Sequence, residues 1–430
     1  MNEIRLPYEL FTLDNGLRVI VHVDRRTPIV CVDVWYHVGS KEETPGRTGF
    51  AHLFEHLMFE GSENVAEGRF DEMLEEIGAI NNGSTSTDRT NYWELMPSHG
   101  LDLALWLEAD RMGGLLPAIT HAQLEAQRDV VRNERRQSYE NRPYGLASET
   151  LLARLYPPEH PYSWPVIGSM ADIGAATLDD VQSFCRQFYT PGNASIAVAG
   201  DVDAAHVRAV IDRYFADIPR GPSLSRAAPP IPAFADDRRA VMEDDVSLPR
   251  LYIAWHSPAA FTAGDAALDA ASAILAHGRA SRLYRSLVYD KQLAQSVSAY
   301  QNSAVLGSTF RVVVTARPDV SLAVIETEVR REIDAMSRAI DARELERAVN
   351  GIETGFVDSL QNVGGFGGRA DQLNMYLFHT GEPDYAAADL MRYQQLTVSD
   401  VARSVREHLL APSVVLSVVP IGRSGLAAQE

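Results

Sequence analysis

Residues 34–56 read VWYHVGSKEETPGRTGFAHLFEH and end in the five-residue run His52-Leu53-Phe54-Glu55-His56. On a helix, His52 and His56 lie one turn apart on the same face, so their imidazoles can bind one metal ion together. Glu55 reaches the same region, where a carboxylate can take a proton from metal-bound water. The His-x-x-Glu-His order is a zinc-hydrolase motif. The alternative is a chance helix whose two histidines are satisfied by other contacts.

A third metal ligand is needed, and a helical pattern indicates one candidate. Residues 120–141 lack Gly and Pro and predict a long helix. Glu134 ends a stripe at i, i+3, i+7 and i+10 that predicts a buried face, formed with Leu124, Gln127 and Val131. Arg128, Arg132 and Arg135 fall on another face, which we expect to meet solvent. A buried carboxylate needs a partner or a metal. An exposed helix end or an ion pair with a neighbouring arginine remains open.

Residues 34–56 resemble the pitrilysin (insulinase) family of inverzincin zinc peptidases, most closely its bacterial members similar to the mitochondrial processing peptidase. The family's third ligand is a glutamate about 77 residues after the second histidine, in a pattern like E-R-x-V-V-x-x-E. This sequence has QRDVVRNE at 127–134, with a spacing of 134 − 56 = 78. The resemblance therefore implies one Zn²⁺ per chain on His52, His56 and Glu134, with Glu55 as general base. Gln127 stands at a second-shell position that is glutamate in the family.

The resemblance extends over most of the chain, through HPYSWPVIGS at 160–169, YTPGNASIAVAGDV at 189–202 and ASRLYRSLVYDKQLAQSVSA at 280–299. Composition agrees with a multi-domain globular protein of 430 residues. The net charge of −19 argues against nucleic-acid binding. Cys31 and Cys185 are expected to be buried free thiols, and no apolar run is long enough for a membrane span. The N-terminus lacks a signal-peptide pattern, which predicts a cytoplasmic protein, or a periplasmic one if a signal peptide has been removed.

Two segments half a chain apart share one pattern, which indicates an internal duplication. Residues 177–200 and 397–420 each begin with Thr and, three residues later, Asp, and continue as an amphipathic helix and a β-branched strand. Two ordinary helix–strand units are the alternative. The Pro-, Ala- and Ser-rich residues 218–238 predict an extended linker. We therefore expect a zinc-bearing domain at 1–220, a linker at 221–239 and a homologous domain at 240–430.

Each half mixes predicted strands and helices, which is typical of an α+β fold with mostly antiparallel sheets. Predicted strands lie at 17–22, 29–37, 250–256 and 307–316, and predicted helices at 104–111, 124–137, 320–339 and 342–359. The family resemblance implies two similar halves that face each other and enclose a substrate chamber.

Two segments are candidates for substrate contact. Residues 79–93, AINNGSTSTDRTNYW, predict a polar strand that resembles the family's active-site edge strand, which pairs with the substrate backbone. Asn82 takes the asparagine position of that strand, although a solvent-exposed edge is the alternative. Residues 364–368, GGFGG, predict a mobile loop. The loop resembles the glycine-rich loop of the family's non-catalytic mitochondrial processing subunit, proposed there to handle substrate, and a plain hinge is the alternative.

The sequence departs from the family in its second half. Many members carry an arginine and a tyrosine seven residues apart that bind substrate or stabilise the transition state. This sequence has Val288 and Gln295 at those positions, with Arg285 and Tyr289 nearby but out of register. The resemblance therefore implies a related partner subunit that supplies the Arg/Tyr pair.

The sequence predicts a zinc metallo-endopeptidase acting on peptides or unfolded segments, as the zinc-bearing subunit of a heterodimer. A non-catalytic assembly or binding subunit of the same family is the first alternative. A zinc hydrolase with a non-peptide substrate is the second.

Overall fold

The computed structural model describes residues 4–226 and 228–428. These residues divide into two compact units, each assembled from three segments of chain. The first unit contains residues 4–135, 164–226 and 356–387, and the second contains residues 136–163, 228–355 and 388–428. None of the helices in these ranges has the length and apolar character needed to cross a bilayer.

The described chain contains eleven strands and fourteen α-helices. The strands are β1 Glu9–Thr12, β2 Arg18–Val23, β3 Ile29–Tyr36, β4 Ile80–Thr85, β5 Thr90–Pro97, β6 Ala194–Gly200, β7 Arg238–Asp244, β8 Arg250–Ser257, β9 Ala294–Asn302, β10 Ser308–Ala316 and β11 Val414–Pro420. The helices are α1 Phe50–Leu57, α2 Arg69–Glu76, α3 Leu101–Ala118, α4 His121–Arg135, α5 Ala147–Leu155, α6 Met170–Ala175, α7 Leu178–Phe188, α8 Ala204–Phe215, α9 Asp265–Ala276, α10 Leu322–Arg338, α11 Ala342–Ser359, α12 Arg369–Thr380, α13 Ala386–Gln394 and α14 Val398–Ser404.

The first unit contains a six-stranded sheet in the order β1-β2-β6-β3-β5-β4. Only β2 and β6 pair in parallel, and the other neighbours are antiparallel. The central strands β3 and β6 are buried on both faces, as their near-continuous runs of apolar and small residues predict. Strand β4 is an edge strand, so one side of its backbone has no partner strand.

The second unit repeats this arrangement with five strands in the order β7-β11-β8-β10-β9. The parallel pair is again formed by the last strand of its half, here β11 with β7. Thr177 and Thr397 begin the helices before β6 and β11, and each accepts from the backbone N–H of the Asp three residues on. The matching strand orders support the duplication that the two sequence segments indicate.

The α+β prediction is confirmed, since both sheets are mostly antiparallel and are packed with helices. Cys31 and Cys185 are buried free thiols, as expected. The domain limits 1–220 and 240–430 stay a prediction. Residues 356–387 belong to the first compact unit, because α12 packs on β3 and β6 of the first sheet through bonds such as Asn374 Nδ2 to the Asp33 carbonyl at 2.8 Å.

Two local predictions are wrong. Residues 79–93 are not one strand but parts of a hairpin, because the chain turns between Ser86 and Arg89, where the Ser86 N–H donates to the Arg89 carbonyl. Arg135 is buried and donates to the carbonyl of Gly168 at 2.6 Å, so it does not lie on a solvent face.

Candidate metal centre and active site

Helix α1 separates its apolar and its chemically active side chains onto two faces. Phe50, Leu53, Phe54 and Leu57 are buried in the first unit, whereas His52, Glu55 and His56 lie half-buried on the other face. The helix begins after Gly49, whose φ of 89° is in the left-handed region. A Cβ there would lie 2.7 Å from the Ile167 carbonyl oxygen, so the start of α1 requires glycine.

Glu134, in the last turn of α4, completes the candidate metal site. The Nε2 atoms of His52 and His56 lie 3.6 and 3.5 Å from Oε2 of Glu134. Two ligand atoms about 2.1 Å from a tetrahedral metal are about 3.4 Å apart, so the spacing fits zinc. In the part of the chain that the structure describes, these three residues form the one group of His, Cys, Asp or Glu side chains able to share a metal ion.

The protonation states of these side chains suit metal binding. Burial lowers the pKa of His52 to about 4, so its imidazole is neutral at neutral pH and can offer a lone pair. A hydrogen bond from His56 and the attraction of both histidines hold the pKa of Glu134 below its ordinary value, so this carboxylate is ionised. Metal ligands must be deprotonated in this way.

Glu55 lies beside this group, and Thr85 holds its carboxylate. The hydroxyl of Thr85, the last residue of β4, donates to Oε2 of Glu55 at 2.6 Å. Burial raises the pKa of Glu55, while the Thr85 hydrogen bond and the charges of His56 and Arg89 oppose that rise. A carboxylate with a raised pKa accepts a proton more readily near neutral pH, as a general base must.

A second carboxylate, Glu43, fixes the start of α1. Its Oε2 accepts from the Gly49 N–H at 2.9 Å and its Oε1 from the Ala51 N–H at 2.8 Å. Both N–H groups lie at the start of the helix, and Gly49 has no side chain that could accept a hydrogen bond from them. Burial raises the pKa of Glu43 to about 8, and the two backbone donors oppose this rise. Sequence reasoning missed both Thr85 and Glu43, because their roles depend on approaches that no local pattern reveals.

The hydrogen bond of Gln127 goes to Glu60, not to a metal ligand. Its Nε2 donates to Oε1 of Glu60 at 2.6 Å. Burial raises the pKa of Glu60, and His56 is close enough to oppose this shift electrostatically. Gln127 therefore contacts a further carboxylate in the neighbourhood of His56, that of Glu60, which follows α1.

Asn82 lies on edge strand β4, with an exposed side chain whose Oδ1 accepts from the Gly83 N–H at 2.8 Å. The residues 364–368 form a compact turn closed by a hydrogen bond from the Gly368 N–H to the Gly365 carbonyl. Its Phe366 stacks edge-on against Trp93 of β5, with ring centroids 5.6 Å apart.

In the second unit, the positions of the family's Arg/Tyr pair hold side chains of a different kind. Val288 packs partly buried against that unit's core, and Gln295 is exposed on edge strand β9. Tyr289 is 73 % exposed. Arg285 is also exposed, and its Nε lies 3.7 Å from Oδ2 of Asp290. The described second unit therefore offers no arginine or tyrosine at the family positions.

The chain was compared with known proteins. Residues 18–160 match the model described as Insulinase (Peptidase family M16), and residues 175–352 match that described as Peptidase M16 inactive domain. Zinc protease PqqE of Helicobacter pylori is 30 % identical over 409 residues, which cover 93 % of this chain and 90 % of that protein. The probable mitochondrial-processing peptidase subunit beta of Arabidopsis thaliana is 22 % identical over 421 residues, covering 95 % and 77 %.

Among solved structures, the crystal structure of a protease from Helicobacter pylori superposes with a TM-score of 0.89 at 29 % identity and covers 97 % of this chain and all of that one. The chain belongs to peptidase family M16, the insulinase family, as its sequence resemblance implies.

Proposed function

We propose that this protein is a zinc metallo-endopeptidase that hydrolyses peptides or unfolded polypeptide segments. The observation that carries the proposal is the convergence of His52, His56 and Glu134 beside Glu55. Zinc, when bound there, supplies a Lewis acid and lowers the pKa of its bound water. The names of the M16 relatives, zinc protease among them, support the same chemistry.

Each of the chain's own residues then has one task. His52, His56 and Glu134 hold the metal, and Glu55 takes a proton from the attacking water and delivers it to the leaving amine. Thr85 fixes Oε2 of Glu55, which leaves Oε1 available for proton transfer. Strand β4, with Asn82, offers its unpaired backbone edge to an extended substrate.

We further propose that full activity needs a related subunit. Zinc supplies only part of the stabilisation that a charged transition state requires. Val288 cannot donate the charged hydrogen bonds of an arginine, and Gln295 lacks the phenolic hydroxyl of a tyrosine. A partner that carries the Arg/Tyr pair would complete the site, and the similarity to a mitochondrial-processing peptidase subunit supports a paired arrangement.

The alternative is a non-catalytic assembly or binding subunit, which the match to the M16 inactive-domain model keeps open. The presence of all three ligand residues and of Glu55 favours the peptidase. Metal analysis of the purified chain, combined with hydrolysis of quenched-fluorescent peptides in the presence and in the absence of the candidate subunit, separates these functions. Zinc together with peptide cleavage supports the peptidase, and zinc without peptide cleavage supports a non-peptide hydrolase. The absence of both zinc and cleavage supports the assembly subunit.

A further inference from the structure

Alternate residues of edge strand β4 lie on opposite faces of the first sheet. Thr85 and Asn81 point to the helices, where they bond Glu55 and Asp71. Ile80 and Asn82 point to the other face, because their cross-strand partners on β5 are Leu95 and Trp93. A peptide that added to β4 would likewise place every second side chain on this other face.

This other face exposes two large apolar side chains close to the free edge. Ile80 is 60 % exposed and Phe366 is 51 % exposed. Trp93 lies beneath Phe366 and Leu95 lies beside Ile80. We call these four residues the apolar patch. Exposed apolar groups clustered in this way mark interaction surfaces.

The chain holds Phe366 in this exposed position. A Cβ on Gly364 would lie 2.6 Å from Sγ of Cys31, so the loop lies directly on the sheet. The Gly367 N–H donates to Oδ2 of Asp371 at 2.7 Å, and Nε2 of Gln372 donates to the Gly367 carbonyl at 2.7 Å. Two hydrogen bonds and close contact with the sheet therefore support the turn that presents the aromatic ring.

A cavity of about 530 Å³ continues the apolar patch. It begins at Leu95 and Gly364, and its wall is both apolar and charged, with Ile29, Val357, Leu360, Asp24, Arg26 and Arg369 among its residues. The polypeptide that follows a side chain bound at Leu95 therefore has space in this cavity.

We propose that the apolar patch binds a large apolar side chain of the substrate, about five residues from the bond that is cut. This proposal rests on the proposed function, since its occupant is an extended polypeptide paired with β4. Thr85 lies at the level of the base, and Ile80 is five residues away along the same strand. At about 3.4 Å per residue this separation is about 17 Å. The affinity for a peptide substrate therefore depends on its length and on an apolar residue about five positions from the bond that is cut.

The test measures peptide binding to the Glu55→Gln protein, so that no peptide is consumed. Fluorescein-labelled peptides of Gly, Ser and Asn, longer than about ten residues, carry one Leu that is moved along the sequence. Anisotropy titration gives the Kd of each. We expect the Leu to lower the Kd, and we expect this effect to recur only at alternate positions of the peptide. The Phe366→Ser substitution should raise the Kd of the best peptide roughly five- to tenfold.

Matched variants decide the outcome. Ile80→Ser should weaken binding like Phe366→Ser, and Phe366→Leu should retain most of the affinity. Val324→Ser in the second unit, at a side chain that is 50 % exposed, should leave the Kd unchanged. Equal binding of polar and Leu peptides, or equal effects of Phe366→Ser and Val324→Ser, would overturn the proposal. Failure of the proposed function shows separately, as absence of hydrolysis by the unmodified chain in the presence of any required partner.

Discussion

The Thr85 hydroxyl donates to Oε2 of Glu55 at 2.6 Å, which links the end of edge strand β4 to the proposed general base. Thr85→Val keeps the side-chain volume and removes this donor. Because a hydrogen bond to a charged group contributes about 1.5–3 kcal/mol, we expect kcat to fall roughly tenfold or more. Zinc content should not change, and Thr85→Ser should restore most of the activity. A Thr85→Val protein with wild-type kcat would contradict this role.

The same variant makes a prediction about pH. The Thr85 hydrogen bond stabilises the ionised Glu55 and lowers its pKa, so loss of this bond raises that pKa. The base must be ionised to act, and kcat/KM therefore falls with acidification at a higher pH in Thr85→Val than in the wild type. A pH–rate profile of both proteins checks the direction. An acid limb that stays in place, or that moves to lower pH, would exclude Glu55 as its source.

Removal of the third ligand should release the metal. We expect Glu134→Ala to weaken zinc affinity by more than roughly a hundredfold, because even second-shell changes cost about 10–100-fold. Gln127→Ala, which loses only the bond to Glu60, should have a smaller effect. Glu125→Ala is the control, since this carboxylate pairs with Arg128. Competition with a zinc chelator measures all three, and an unchanged Glu134→Ala affinity would show that another residue is the ligand.

Glu43 should stabilise the fold through α1. Glu43→Ala leaves the Gly49 and Ala51 N–H groups without their acceptor, and we expect the free energy of unfolding to fall by about 2 kcal/mol or more. Zinc affinity should fall with it, because His52 follows directly. Urea denaturation compares this variant with Glu72→Ala on the exposed side of α2. Equal stability of the two variants would refute the capping role.

The isolated chain should be a weak peptidase that a related subunit activates. Such a partner would lack the zinc ligands and carry the arginine and tyrosine that Val288 and Gln295 do not provide. Peptide hydrolysis by the purified chain, with and without the candidate subunit, measures the effect. Full activity that the subunit leaves unchanged would point to the exposed Arg285 or Tyr289, and Arg285→Ala and Tyr289→Phe would then abolish it.

The sequence was informative where function depends on one local element. His52, Glu55 and His56 share a short helix, so their spacing alone predicts a metal site. Glu134 is 78 residues away from His56, and the helical stripe left its role open until the family pattern was considered. The structure then shows α4 packed against α1 with the ligand atoms close together.

Features that depend on long-range packing could not be predicted. The Ser86–Arg89 turn contains no Gly or Pro, so the hairpin was interpreted as a single strand. Arg135 was expected in solvent because helical periodicity cannot reveal the Gly168 carbonyl that binds it. The packing of α12 on the first sheet joins residues more than 300 positions apart, as in the bond from Trp35 to Asp371.

One comparison tests the central claim most directly: zinc content and peptide hydrolysis, measured together, for the wild type and Glu55→Gln in the presence of any required partner. Glu55→Gln keeps the size of the side chain and removes the proton acceptor. The account predicts about one zinc per chain in both proteins and a loss of activity of on the order of a hundredfold or more in the variant. A wild-type chain that binds no zinc, or a Glu55→Gln protein that turns over at the wild-type rate, would contradict it.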